Sequence, residues 1–68
     1  MCEVKITKLG GRTDTITVDA GDDIHEILNE RGYLEGDLLP YSNGTLIEDG
    51  ETVEGDMNIS LLVSNKGG

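Results

Sequence analysis

Residues 55–63 read Gly55-Asp56-Met57-Asn58-Ile59-Ser60-Leu61-Leu62-Val63. A Gly-Asp turn opens the stretch. Met57, Ile59, Leu61 and Val63 then fall on one side of an extended chain, with Asn58, Ser60 and Leu62 on the other. Successive side chains of a strand point to opposite faces, so this alternation predicts a strand with one face on the core. It has the cleanest alternation in the chain, and a central place beside the first strand would give it the most neighbours.

Upstream, Cys2, Val4 and Ile6 alternate with Glu3, Lys5 and Thr7, and Ile16 and Val18 alternate with Thr15 and Thr17. Gly10-Gly11 lies between the two runs. This predicts an N-terminal hairpin over Met1–Lys8 and Thr13–Asp19. Asp22 and Asp23 offer N-cap carboxylates, and Asp23-x-x-Glu26 resembles a capping box. Ile24, Ile27 and Leu28 form a helical stripe, Arg31 suits the negative end of the helix dipole, and Gly32 suits the left-handed residue past its end. One helix is expected over Asp23–Arg31, with Leu34 in contact just beyond it. Leu38–Tyr41 reads as a short strand, in which Pro40 argues for an edge or a bulge. Asn43-Gly44 is a hairpin signal, and Thr45–Ile47 returns from it. Ser64–Gly68 carries no apolar anchor. The expected organisation is a domain over 1–63 and a tail over 64–68.

The chain has 68 residues, so one domain is the limit. A domain of this size buries only about 60% of the surface its unfolded chain exposes. Enclosing a deep pocket as well as packing a core is beyond it, which disfavours a self-contained enzyme. Val, Ile and Leu supply the core, since Phe and Trp are absent and Tyr33 and Tyr41 are the only rings. Fourteen acidic against five basic residues give a formal charge of −9. That charge repels nucleic acid and anionic lipid and suits a basic protein partner. Cys2 is the lone cysteine, which excludes an internal disulfide and a four-thiolate iron–sulfur cluster and points to the reducing cytoplasm. No apolar run approaches the length of a membrane span, and no signal peptide is visible.

Asn43-Gly44, then Val53-Glu54-Gly55-Asp56, then the strand Met57–Val63, then Gly67-Gly68, together resemble the ubiquitin-like β-grasp superfamily. Within it they are similar to the small sulfur carriers, namely the thiamine-biosynthesis carrier and the molybdopterin-synthase small subunit, and to small prokaryotic ubiquitin-like modifiers. The element order covers essentially the whole chain. Ser64-Asn65-Lys66 stands where the carriers often have apolar residues or proline. The resemblance implies an α+β fold, a mixed four- to five-stranded sheet with one helix on one face. It also implies that an ubiquitin-activating-type enzyme, using ATP and Mg²⁺, adenylates the Gly68 carboxylate. No cofactor would be stably bound to the chain itself.

A Gly-Gly after the last strand suits that chemistry physically. Glycine lacks a side chain and so fits a narrow channel, and five residues past Val63 reach about 16–18 Å when extended. The adenylate would pass to sulfide as a thiocarboxylate, with a sulfur donor or acceptor enzyme as partner. Alternatively it would pass to a lysine amine of a conjugation target. A noncovalent interaction module is the reading from another class.

Leu62, out of phase with the core set, and Asp56 are candidates for docking a partner. Lys5, Lys8 and Lys66 are candidate acceptor lysines. No residue is expected to be catalytic and no metal site is expected. There is no Ser–His–Asp set, Asp22, Asp23 and Glu26 read as caps, and Cys2 reads as a small buried hydrophobe. His25, off the apolar stripe, reads as a surface histidine.

Overall fold

A computed structural model describes residues 1–8 and 10–63. In chain order the elements are β1 (Cys2–Thr7), β2 (Thr13–Val18), α1 (Ile24–Glu30), β3 (Leu38–Ser42), β4 (Thr45–Leu46) and β5 (Met57–Val63). The five strands form one mixed sheet in the order β2-β1-β5-β3-β4. β5 runs parallel to β1 and antiparallel to β3, so it holds the centre, as its alternation predicts. The protein is a small α+β domain.

The core is aliphatic throughout. Cys2, Val4, Ile6 and Val18 from the hairpin meet Ile59 and Leu61 of β5 and Ile24 and Leu28 of α1; Ile47 and Val53 close the cluster. Met57 is only partly buried, and Val63, on the same face as Ile59 and Leu61, is exposed rather than in the core. It pairs with Leu38 at the end of the sheet and is 52% exposed, because no buried residue of α1 extends the core that far.

The helix starts and stops where its local chemistry directs. Asp23 is extended, and its carboxylate accepts the Glu26 amide at 3.0 Å. Gly32 takes φ +78°, the left-handed conformation that glycine adopts without strain. The Gly32 amide donates to the Asn29 carbonyl and the Tyr33 amide to the Leu28 carbonyl, the paired bonds of a Schellman end. At the other end of the helix, Ile24 donates to the Glu51 carbonyl and Val53 to the Asp22 carbonyl, tying segment 51–53 to the helix start.

Pro40 corrects the edge expectation. β3 lies between β5 and β4, and its register with both is unbroken. The amide N and carbonyl of one strand residue point the same way, and the Pro40 carbonyl accepts from Ile47 at 2.9 Å. The missing donor therefore faces Ile47, just past the end of two-residue β4, and costs the β3–β5 ladder nothing. The Ile47 carbonyl that a non-proline residue would have satisfied is reached instead by His25 Nε2 at 2.8 Å. His25 is thus half-buried, against its reading as a surface residue.

Candidate functional site

β5 carries the chain to one end of the sheet, and Val63 is the last described residue there. Ser64, Asn65, Lys66, Gly67 and Gly68 lie outside the described residues. A groove of about 470 Å³ opens at the end of the sheet where β5 finishes, lined by Lys8, Arg31, Tyr33, Glu35, Leu38 and Leu61 among others.

The groove is organised around one carboxylate. The Schellman end of α1 projects Tyr33 towards β2, and its hydroxyl donates to Asp14 Oδ2 at 2.9 Å. Lys8, at the end of β1, places its ammonium 3.1 Å from the same oxygen and 5.2 Å from the Tyr33 ring centroid. The bond from Lys8, reinforced by the one from Tyr33, holds the Asp14 carboxyl below its usual range. Burial pushes the Tyr33 phenol up, and the Asp14 carboxylate adds to the rise. The Lys8 amine is therefore engaged. Lys5 is exposed on the outer face of the sheet, between Thr15 and Asn58 in register, so the two candidate acceptors among the described residues differ in access.

Leu62 points away from the core and is 45% exposed, as its phase predicts. It does not stand alone. Leu39 lies opposite it on β3, and Tyr41, two residues along the same face, pairs with Leu46 of β4. Leu39, Tyr41, Leu46 and Leu62 make an apolar stripe over the β5-β3-β4 half of the uncovered face. The other half of that face carries Lys5, Thr7, Thr15 and Thr17. Leu39 and Tyr41 are placed here by the structure: Pro40 faces the core opposite Leu61, so its neighbours face out.

Asp56 is exposed, and one of its oxygens accepts the Glu3 amide at 2.8 Å, fastening the starts of β1 and β5 together. The turn acids are similarly occupied: Asp22 accepts from Asp19 and Glu51 from Glu48, while Asp49 lies 3.3 Å from His25 Nδ1. Among the described residues no group of His, Cys, Asp or Glu is placed to hold a metal, and no helix is long and apolar enough to cross a membrane. Cys2 is free and buried. Compared with family models and with curated proteins, the chain matches none.

Proposed function

We propose that this chain is a ubiquitin-like β-grasp carrier whose Gly68 carboxylate is activated by an ubiquitin-activating-type enzyme and then carries sulfur. The supporting observation is the course of β5. The strand is central, parallel to β1, packed on the one helix among the described residues, and followed after three intervening residues by Gly67-Gly68. The sheet order, the parallel central pair and the one helix among the described residues are compatible with a β-grasp and support this reading. The apolar stripe around Leu62 lies on the same strand as the exit and offers an activating enzyme a surface to hold while it works on the chain end.

In the proposed reaction a Gly68 carboxylate oxygen attacks the α-phosphorus of Mg²⁺-bound ATP, and pyrophosphate leaves. A sulfur nucleophile then attacks the acyl carbon, a carbon–sulfur bond forms, and AMP departs. All catalytic groups come from the partner; this chain supplies the acyl group and a body to grip. The acidic surface suits a basic protein partner rather than nucleic acid or membrane, and the lone thiol suits the cytoplasm.

The test is ATP–pyrophosphate exchange with candidate activating enzymes, using the full chain and a form lacking Gly67 and Gly68. Exchange is expected with the first and none with the second. Equal exchange, or biological activity that survives the deletion, would return the chain to the class of noncovalent modules. Mass spectrometry then separates the two fates of the adenylate. Oxygen replaced by sulfur at the C-terminus marks a sulfur carrier, and a Gly-Gly remnant on substrate lysines marks a protein modifier.

A further inference from the structure

Strand β2 ends the sheet on one side, and among the described residues it pairs only with β1. The phase of that ladder can be worked out. Lys8 donates to the Arg12 carbonyl at 2.6 Å, one position beyond the Thr7–Thr13 pair. Bonded and non-bonded pairs alternate in an antiparallel ladder, so Asp14, Ile16 and Val18 bond to β1. The amides and carbonyls of Thr13, Thr15 and Thr17 then point outward from the sheet.

Long edges are usually blunted by lysine, proline or a bulge. β2 has none of these. Its register with β1 is continuous over six residues, and every residue but Asp14 is β-branched. The Asp14 carboxylate is drawn back onto the domain by Lys8 and Tyr33, so it does not guard the edge. Ile16 is only half-buried and, with Ile27 of α1, forms part of the rim of the core. The two ends of the strand differ in charge. Arg12 precedes it, while Asp19 and Asp22 follow it, joined by the Asp19 amide on Asp22 Oδ2.

We propose that the β2 edge accepts an extended segment of a partner protein by strand addition. The segment runs antiparallel, with Lys or Arg preceding a run of alternating β-branched residues. Antiparallel pairing places the start of the incoming strand beside Asp19 and Asp22, where its cations are matched. The Thr13, Thr15 and Thr17 backbone supplies the bonds. The net charge of −9 disfavours a second copy of this chain as the occupant. The inference rests on the topology and the charge, not on the carrier reading.

The probes are three synthetic peptides titrated into the isotope-labelled full chain by NMR. They are acetyl-Lys-Lys-Val-Thr-Val-Thr-Val-amide, the same composition with the lysines last, and a version with glutamates in place of the lysines. The first is expected to shift the Thr13, Thr15 and Thr17 amides most and to slow their exchange, with the other two binding several-fold more weakly. Thr15→Pro removes an outward donor without touching the β1 ladder and should weaken binding about tenfold. Asp19→Lys, outside the strand, should erase the preference between the two lysine peptides. The proposal is overturned if none of the peptides binds at about 1 mM. It is equally overturned if the shifts gather at Leu39 and Leu62, if Thr15→Pro binds as tightly as the parent, or if the edge signals instead follow self-association of the chain.

Discussion

His25 does work that its position on the helix alone does not reveal. Pro40 withholds the amide that would have met the Ile47 carbonyl, and the imidazole Nε2–H supplies the donor. That bond requires a proton on Nε2, and Nδ1 lies 3.3 Å from Asp49 Oδ1. A part-buried carbonyl left unpaired costs about 1–3 kcal/mol, so His25→Ala should lose about 1–2 kcal/mol in urea unfolding. In a Pro40→Ala background the new amide can take the carbonyl, and the same His25→Ala change should cost about 1 kcal/mol less. An equal cost in both backgrounds would show that the imidazole is not standing in for the missing donor. Asp14 and Tyr33 make a second prediction, about pH. The Asp14 carboxyl is held low in the fold, so its contribution is present above the ordinary carboxylate range and is lost as pH falls through the lowered value. The Tyr33 phenol is held high, so its contribution is present below the ordinary phenol range and is lost as pH rises through the raised value. Asp14→Asn should flatten the acid limb of stability against pH and part of the alkaline limb. Tyr33→Phe should remove the alkaline contribution, including the share due to burial. Melting temperature across the pH range, with absorbance titration of the phenol, checks both signs.

Helix α1 has seven residues, far below the ~12–15 that an isolated helix needs to persist in water. It depends on its two ends and on the Ile24 and Leu28 face. Asp23→Ala removes the acceptor for the Glu26 amide and should cost about 1 kcal/mol in chemical unfolding. A loss near zero would mean that water replaces the carboxylate. The ends of this helix were legible because caps are local chemistry: Asp23 and Gly32 act through residues within four or five positions. The N-terminal hairpin and β5 were legible for a similar reason, since a period of two survives wherever one face is buried. What escaped the sequence depends on partners far along the chain. The place of β3 inside the sheet, the exposure of Val63 and the bond of His25 are each decided by an element that the local pattern does not identify. The same holds for the candidate site. Leu62 was visible by its phase, whereas Leu39, Tyr41 and Leu46 join it only once β3 and β4 are laid against β5.

Among the described residues the acidic charge is concentrated at one end of the sheet. Lys8, Arg12 and Arg31 lie with Asp14 and Glu35 near the end where β5 finishes, whereas Asp22, Asp23, Glu51, Glu54 and Asp56 belong to the segments at the start of β5 and of the helix. Two effects of salt compete. Screening weakens the Lys8–Asp14 ion pair among the described residues, but a partly exposed pair is worth only about 0–1 kcal/mol. Screening also relieves repulsion among a net nine negative charges held in a small volume, a load that unfolding dilutes. For charges of this number the change from about 10 mM salt, where the screening length is about 30 Å, to about 150 mM, where it is about 8 Å, is on the order of 1–2 kcal/mol. The repulsive effect wins, so stability in urea should rise over that interval and level off above it. Glu54→Gln, which removes one acid beside Glu51 and Asp56, should stabilise the protein at low salt by a few tenths of a kcal/mol, with the gain fading at high salt. A protein that instead lost stability as sodium chloride was added would place its balance in the ion pair. The acidic end would then be held by contacts rather than tolerated as a load.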